Sequence, residues 1–273
     1  MPLAVCATPI GNLDDITLRV LEELRSADVV LCEDTRHTRV LLERHGIEPR
    51  LLSYHEHNEA KRTAEVLPRL EAGERIALVS DAGMPGISDP GARLVSAALE
   101  AGLAVTVLPG PSAVETALAA SGLPAERFQF LGFLPRGERA LATLWAELRG
   151  WPHAAVAFES PRRLPATLRS LAEAEPERVV VVCRELTKRF EEVVRGSAAE
   201  VADEFSRQPK GEITLVLGPA RAVAADAAAD AAAAAAADAV AQLVASGASR
   251  RSAAEVVSRL TGVGRNELYR RTL

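Results

Sequence analysis

Cysteine and aromatic residues are scarce in this sequence. Three cysteines occur among 273 residues, and phenylalanine, tryptophan and tyrosine together make up 4% of the chain. Cys6, Cys32 and Cys183 stand far apart, each within an apolar segment, so their spacing matches neither a disulfide framework nor a zinc site. This cysteine usage favours a reducing compartment, and we expect a cytoplasmic protein.

Long apolar runs are also missing. No segment has the length of apolar sequence that spans a bilayer, and no basic residue of the kind that opens a signal peptide occurs between Met1 and Asp14. We therefore expect neither a membrane span nor a signal peptide. The chain length suits two domains of ordinary size, and a hydrophobic content of 48% is sufficient for their cores.

An excess of basic residues is missing as well, because the formal net charge is −5. The basic charge is instead concentrated in residues 246–273, where the pattern predicts a helix, a glycine turn and a second helix. The alternative for this tail is a solvated or dimer-packing pair of helices. The arginines that we expect to bind nucleic-acid phosphates are Arg250, Arg251, Arg265, Arg270 and Arg271.

An alanine-rich segment precedes this basic tail. Residues 222–239 are almost pure alanine, interrupted by Asp226, Asp230 and Asp238. Such a composition forms helix readily but offers nothing to bury, so it predicts a semi-rigid linker. The predicted domains are residues 1–122, residues 123–218, a linker at 219–240 and a helical nucleic-acid-binding module at 241–273.

Upstream, short apolar segments alternate with amphipathic helical patterns, which predicts an α/β fold. The strands expected in the first domain are residues 3–7, 29–32, 76–79 and 105–108, in a mostly parallel sheet. Those expected in the second domain are residues 128–131, 154–158, 179–183 and 213–217. Ser197 and Glu200 form a capping box for a helix at 198–205.

Two glycine-rich loops are the most informative features of the chain. One covers residues 80–91 and the other residues 108–113, and each follows a predicted buried strand. Ligands of open α/β sheets bind at this end of the strands, so both loops indicate a pocket for a small molecule held largely by main chain. Read alone, the first loop also matches a phosphate nest, and Asp81 matches a turn carboxylate.

Further motifs give the chain a family resemblance. They are TPIGNLDDIT (8–17), EDTR (33–36), HEHNE (55–59), GFLP (132–135), RELTK (184–188) and KGE (210–212). Together with the two loops, they resemble the small-subunit ribosomal RNA methyltransferase I family of the tetrapyrrole methylase superfamily. That family methylates the 2′-hydroxyl of a cytidine in the decoding region of 16S ribosomal RNA. The loop after the first predicted strand, which begins at Thr8, lacks the glycine-rich sequence of the tetrapyrrole enzymes, and this difference favours the RNA branch.

The resemblance implies two α/β domains, the first with a parallel and the second with a mixed sheet, and S-adenosylmethionine bound between them. It also implies a homodimer that acts on 16S ribosomal RNA or on the small ribosomal subunit. Met84 departs from the family pattern, which commonly has threonine there. The cofactor-binding residues that the resemblance implies are Pro9, Ile10, Gly11, Asp81, Ala82, Gly83, Ile87, Ser88, Ser112, Ala113, Phe158, Leu186, Gly211, Glu212 and Ile213.

Transfer to a ribose hydroxyl needs a proton acceptor or a stabilising charge near the pocket. We predict Glu33 and Asp34 for the first role, with Arg36 binding phosphate and Lys188 stabilising charge. In the alternative interpretation Asp34 caps the helix that follows it, and Lys188 is a solvated charge or a phosphate contact. His55, His57, Glu59 and Glu185 are further candidates, and the histidines more often serve as surface residues than as catalysts or metal ligands.

Other functions fit parts of the sequence. A methylase of a small tetrapyrrole would use the same pocket without the basic tail, and a noncatalytic ribosome-binding protein would use the tail without the pocket. A metal-dependent phosphate hydrolase built on Glu33, Asp34, Asp81 and Asp89 is the most distant alternative.

Overall fold

The computed structural model describes residues 3–220 and 223–272, with side chains of the long alanine-rich helix described from residue 232 onward. The chain forms two compact units. One consists of the residues up to 149 together with 153–219, and the other of residues 150–152 together with those from 220 onward. Among the described residues, no helix combines the length and the apolar character that crossing a membrane requires.

The first sheet of the larger unit has five parallel strands in the order β3-β2-β4-β1-β5. The strands are β1 (Leu3–Cys6), β2 (Val29–Cys32), β3 (Arg50–Ser53), β4 (Ile76–Val79) and β5 (Val105–Leu108). The helices that follow them are α1 (Leu18–Ser26), α2 (Thr35–Arg44), α3 (Glu59–Glu71), α4 (Ala92–Glu100) and α5 (Ala113–Ser121), with a short 3-10 helix at Leu13–Asp15.

Helices cover both faces of this sheet, which explains why its central strands are apolar throughout. Ala4 and Cys6 of β1 belong to a core cluster with α1 and α2, whereas Leu3 and Val5 belong to a second cluster with α3 and α4. Strands β1, β2 and β4 are completely buried. The predicted strands of this domain are therefore found at their expected places. The sequence reading missed β3, an edge strand whose residues are only half-buried.

The second sheet is mixed and has the order β6-β7-β10-β8-β9. Its strands are β6 (Phe128–Phe133), β7 (Ala154–Glu159), β8 (Val179–Arg184), β9 (Glu192–Ser197) and β10 (Ile213–Leu217). Strand β6 runs parallel to β7, and the other pairs are antiparallel. The helices of this half are α6 (Glu138–Leu148), α7 (Leu164–Ala174) and α8 (Ala198–Glu204), the last with the expected capping box at Ser197 and Glu200.

The parallel sheet and the mixed sheet confirm the predicted α/β fold. Helix α5 connects them, because Val114, Ala117 and Leu118 pack against strands of the second sheet. This helix precedes the boundary that the sequence suggests at residues 122 and 123, although its packing partners lie after it. The division into domains stays a prediction.

The smaller unit contains three helices among its described residues, α9 (Val223–Ala245), α10 (Arg250–Thr261) and α11 (Arg265–Arg271). Ser249 caps the start of α10, and Gly262 ends it in a left-handed conformation. Ala236 and Val240 of α9 are buried in a core with Val257 and Leu268. The alanine-rich segment was expected to have nothing to bury. That expectation is wrong for Ala236, because alanine permits close helix packing. Residues 221 and 222 of the predicted linker lie outside the described residues.

Candidate functional site

A cavity of about 400 Å³ opens in the larger unit at the carboxyl ends of β4 and β5. The loops of the first sheet form one wall, and strand ends of the second sheet form the other. The lining residues from the first side are Ile10, Ala82, Gly83, Met84, Ile87, Ser88, Asp89, Ser112, Ala113 and Val114. Those from the second side are Phe133, Phe158, Glu159, Ser160, Pro161, Cys183, Leu186, Gly211, Glu212, Ile213 and Thr214.

Main-chain hydrogen bonds shape the first wall. The amide of Thr8 donates to the carbonyl oxygen of Gly83 at 2.9 Å, and the amide of Gly83 donates back to Thr8 at 3.0 Å. Gly83 has a φ of 78°, in the left-handed region that favours glycine, and Ser88 adopts a φ of 62° there without being glycine. The loop that begins at Ser80 is thereby joined to the loop that follows β1.

The second wall is mainly apolar. Leu186 and Ile213 are buried, as is Ile10, which reaches the cavity from the first side. Phe158 makes edge-to-face contacts with Phe130 and Phe133, at ring-centroid distances of 5.1 and 5.5 Å. Such walls suit a flat ring, because they remove apolar surface from water without leaving a polar group unpaired.

Carboxylates give the cavity its charge. Asp89 lines it, and burial together with the nearby charges of Glu33 and Asp81 raises the pKa of Asp89 to about 6. Burial also raises the pKa of Glu33, followed in importance by the charge of Asp81. These acidic groups follow β2 and β4, which are neighbours in the sheet. The arrangement favours a cation in or beside the cavity.

Buried thiols add little reactivity here. Cys183 lines the cavity, and burial raises the pKa of its thiol to about 11. The thiol is therefore neutral near pH 7 and acts as part of the apolar wall.

A tight turn after β8 holds the loop that follows β1 against the second sheet. Glu185 and Thr187 both have left-handed φ values, 53° and 65°. Thr187 Oγ1 accepts a hydrogen bond from the amide of Asn12 at 3.0 Å, and a Cβ on Gly11 would lie 2.9 Å from the carbonyl oxygen of Leu186. Glycine at position 11 is thus required by the close approach of these two segments.

Most of the residues that the resemblance implies for cofactor binding line this cavity. They are Ile10, Ala82, Gly83, Ile87, Ser88, Ser112, Ala113, Phe158, Leu186, Gly211, Glu212 and Ile213. In the described part of the chain, Pro9, Gly11 and Asp81 lie beside the lining rather than in it. Asp81 instead accepts a hydrogen bond from the amide of Asp34 at 3.1 Å.

The sequence reading missed several lining residues, namely Met84, Asp89, Val114, Phe133, Glu159, Ser160, Pro161, Cys183 and Thr214. Asp89 carried a signal, because it follows the glycine-rich turn in the same loop as Asp81. Phe133 belonged to a recognised motif. Met84 and Val114 lie in or directly after the two predicted loops, and Ser160 and Pro161 follow β7. Glu159, Cys183 and Thr214 reach the cavity through strand pairing, which the sequence does not reveal.

The residues predicted for catalysis surround the cavity without lining it, as far as the described residues show. Asp34 caps α2 by accepting from the Arg36 amide at 2.8 Å, and its side chain pairs with the Arg36 guanidinium at 2.8 Å. These hydrogen bonds hold the pKa of Asp34 well below its usual range. The observed geometry of Asp34 matches the helix-capping alternative.

Lys188 bridges two carboxylates at the edge of the cavity. Its Nζ donates to Glu185 Oε1 and to Glu212 Oε2, both at 2.9 Å. Glu212 lines the cavity, so the positive charge of Lys188 lies next to a side chain of the cavity surface.

The histidine segment forms a separate polar cluster. The ring centroids of His55 and His57 are 6.0 Å apart, and His55 Nε2 lies 3.1 Å from the side-chain nitrogen Nδ2 of Asn58. Across residues 3–220 and 223–272, no group of three or more His, Cys, Asp or Glu is arranged to hold a metal ion.

The arginines predicted for RNA binding lie on two helices of the smaller unit. Arg250 and Arg251 begin α10, Arg265 begins α11, and Arg270 and Arg271 end it. All are exposed except Arg250, which is half-buried. Arg271 pairs with Glu267 at 3.2 Å.

Comparison with known proteins agrees with this site. The family model described as Tetrapyrrole (Corrin/Porphyrin) Methylases matches residues 2–202. A relative from Mesorhizobium japonicum, named ribosomal RNA small subunit methyltransferase I, is 45% identical over 99% of this chain and 91% of its own length. A relative of the same name from Thermotoga maritima is 48% identical over 79% of this chain and 97% of its own length.

Solved structures share the fold at lower identity. The methyltransferase CobJ has a TM-score of 0.60 at 22% identity, covering 80% of this chain and 94% of that one. A uroporphyrin-III C-methyltransferase from Thermus thermophilus, complexed with S-adenosyl homocysteine, has a TM-score of 0.56 at 19% identity, covering 79% and 96%. This chain therefore belongs to the tetrapyrrole methylase family and, within it, to the family of the ribosomal RNA small subunit methyltransferases I.

Proposed function

We propose that this enzyme transfers a methyl group from S-adenosylmethionine to the ribose 2′-hydroxyl of a cytidine in the decoding region of 16S ribosomal RNA. The observation that carries the proposal is the cavity, since it gathers from both sheets most of the residues expected to hold the cofactor. The names of the relatives support small-subunit ribosomal RNA as the substrate.

The cavity fits the methyl donor in size and chemistry. Its volume of about 400 Å³ falls within the range of small-molecule sites. S-adenosylmethionine supplies an electrophilic methyl group on a positively charged sulfur. Ile10, Leu186 and Ile213 offer apolar surface to its adenine, and Asp89 offers negative charge to its cationic part.

Asp81 is the carboxylate that the resemblance implies for cofactor binding, but Asp89 has the better position for it. Asp89 is the carboxylate that lines the cavity, so we assign it the electrostatic contact with the donor. Asp81 accepts from the amide of Asp34 at 3.1 Å and so positions the segment between β2 and α2. This segment carries Glu33, the neighbour whose charge reaches Asp89.

Glu33 is the better proton acceptor of the two residues predicted for that role. The oxygens of Asp34 are engaged by Arg36 and by the start of α2, which stabilise its charge and weaken it as a base. Burial raises the pKa of Glu33, which makes its carboxylate more basic. Lys188 stabilises negative charge at the opposite edge, and Arg36, which is exposed, contacts phosphate.

The basic helices supply affinity for RNA in this proposal. Arg250, Arg251, Arg265, Arg270 and Arg271 contact phosphates, which gives binding without sequence information and makes it dependent on salt. In this proposal the chain acts as a homodimer, as its family resemblance implies, and in the cytoplasm, as its cysteine usage favours.

The test uses purified full-length protein and S-adenosylmethionine labelled in the methyl group. The acceptors are 16S ribosomal RNA and small ribosomal subunits from cells that lack the protein, and mass spectrometry of nuclease fragments locates the product. We expect label on the 2′-oxygen of one cytidine in the decoding region. Absence of label from RNA in every assembly state would contradict the proposal.

The fold neighbours favour one other function, methylation of a tetrapyrrole. Incubation with uroporphyrinogen III under the same conditions tests it. Transfer to the macrocycle, unaffected by substitution of the C-terminal arginines, would support that alternative over the RNA reaction.

A further inference from the structure

Phe133 is an exposed aromatic residue at the cavity, as Ile87 is an exposed aliphatic one. It lines the cavity, yet 61% of its surface is exposed. The apolar residues that wall the interior, Leu186 and Ile213, are buried. Phe133 thus presents a large aromatic surface to whatever arrives from solution at the mouth of the cavity.

An irregularity in β6 places this ring. Phe130 pairs with Val156 and Phe133 with Phe158, so three residues of β6 span two residues of β7. In a regular strand, side chains three residues apart point to opposite faces. The bulge, which uses a left-handed φ of 65° at Gly132, instead brings both Phe130 and Phe133 into contact with Phe158.

A buried ion pair fixes the main chain that carries Phe133. Arg163 donates to the carbonyl oxygens of Leu134 at 3.0 Å and Pro135 at 3.2 Å. Its guanidinium pairs at 2.5 Å with Glu159, which is 2% exposed. Thr167 Oγ1 and the amide of Ser160 also donate to Glu159, both at 2.6 Å.

These contacts give Phe133 a fixed position although its ring is exposed. The amide of Leu134 also donates to the carbonyl oxygen of Phe158 at 3.1 Å, which ties the next residue to the neighbouring strand. An exposed aromatic ring that is held in place loses little conformational freedom when a ligand binds to it.

Exposed arginines follow residues of the second wall along the chain, although the carboxylates of Glu159 and Glu212 line that wall. Arg136 and Arg139 follow Phe133 along the chain, and Arg162 follows Pro161, which lines the cavity. All three are exposed. The carboxylate of Asp89 lies inside the cavity, whereas these arginines lie on the segments that leave its second wall. A flat ring attached to phosphates matches this combination better than a cation does.

We propose that Phe133 stacks on the base of the target nucleotide and holds it at the mouth of the cavity, with Glu159 and Arg163 as positioning residues. The inference rests on the proposed function, and it names a substrate-recognition residue for that reaction. Stacking on an aromatic side chain is the usual way in which proteins hold an unpaired RNA base, and it tolerates any base. Phe133 therefore supplies affinity for the extruded nucleotide, not its identity.

The experiment compares Phe133→Ala, Phe133→Leu and Phe133→Trp with the wild-type protein. Phe128→Ala is the matched control, because Phe128 lies on the same strand and is 39% exposed without belonging to the described lining. Steady-state methyl transfer to small-subunit RNA gives kcat/KM for RNA, calorimetry gives the Kd of S-adenosylmethionine, and thermal denaturation reports folding.

We expect Phe133→Ala to lower kcat/KM for RNA about tenfold, which corresponds to about 1.4 kcal/mol, while the cofactor Kd changes less than about twofold. Phe133→Leu should resemble Phe133→Ala, and Phe133→Trp should retain activity. Arg163→Lys should raise KM for RNA while the cofactor Kd stays near the wild-type value, because lysine cannot hold both carbonyl oxygens and Glu159 in one plane.

Two results would overturn the inference. One is an RNA kcat/KM that Phe133→Ala leaves unchanged, and the other is a cofactor Kd that rises as much as kcat/KM falls, which would make Phe133 a wall for adenine. A wild-type protein that methylates no RNA would contradict the proposed function itself, so the two failures are distinguishable.

Discussion

The two walls of the cavity are built in different ways. The first sheet contributes loops whose main chain and carboxylates face the ligand, with glycines at the close approaches. The second sheet contributes side chains at strand ends, chiefly apolar and aromatic, held by pairing between strands. Under the proposed function, proton transfer and the charged contact with the donor lie at the first wall. The contact with the RNA base lies at the second wall, where Lys188 also stabilises charge.

The largest expected effect tests whether proton transfer belongs to the first wall. We expect Glu33→Gln to lower kcat about 100-fold, because the amide cannot accept the proton of the 2′-hydroxyl, with little change in the cofactor Kd. Single-turnover methyl transfer to RNA measures it. Asp34→Asn is the control. It should keep the helix cap, because asparagine caps a helix as well as aspartate does, lose only the charged pair with Arg36, and reduce kcat far less. Equal losses of kcat in both variants would remove Glu33 from the proposed role.

The second prediction separates two carboxylates of the first wall. We expect Asp89→Asn to raise the Kd of S-adenosylmethionine about 30-fold, equivalent to about 2 kcal/mol, because a charged contact with the donor is lost. Asp81→Asn, which alters a residue beside the lining, should raise it less than about threefold. Calorimetry measures both Kd values. A larger increase in Asp81→Asn than in Asp89→Asn would assign the charged contact with the donor to Asp81.

The third prediction concerns pH. The pKa of Asp89 is raised to about 6, so the carboxylate is charged above that pH and protonated below it. The cofactor keeps its charges between about pH 5 and pH 7, because an α-amino group titrates near pH 8. Its Kd should therefore change little near pH 7 and rise below about pH 6 towards the value of the Asp89→Asn variant. Asp89→Asn should abolish this dependence. If the Kd of the variant still depends on pH, the titrating group would be Glu33, whose pKa is also raised.

The smallest effect tests the contact between the two walls. We expect Gly11→Ala to cost about 1–3 kcal/mol of stability and to weaken cofactor binding a few-fold, because the new methyl group would force Gly11 away from Leu186 and Thr187. Gly150→Ala is the matched control, since a Cβ there meets nothing within 4 Å. Thermal denaturation measures the loss of stability, and calorimetry measures the Kd of the cofactor. Identical behaviour of the two variants would mean that the walls tolerate separation.

The same contrast explains what could be predicted from the sequence. Strands β1, β2 and β4 were predictable because helices on both faces make every residue apolar. The edge strands β3 and β9 were missed because charged residues interrupt their apolar sequence. The edge strands β5 and β6 contain no charged residue and were predicted.

The site shows the same division. The loops at residues 80–91 and 108–113 announce a pocket through glycine and proline, and much of the first wall follows from them. The roles of Phe133, Cys183 and Thr214 depend on which strands pair and on one bulge, and these are tertiary facts that local sequence does not encode. Asp34 is a case in which local sequence predicted the structure. Its position directly before a helix favoured helix capping, and it is the N-cap residue of α2.

Helix α5 has a practical consequence for protein engineering. Its first residues line the cavity, while its body is embedded in the apolar layer beneath the second sheet. Chimeras that exchange halves between related methylases should therefore be joined ahead of Ser112, so that this helix travels with the strands it covers. A junction at Gly122 would leave the helix facing a foreign surface and would disturb the ligand pocket from below.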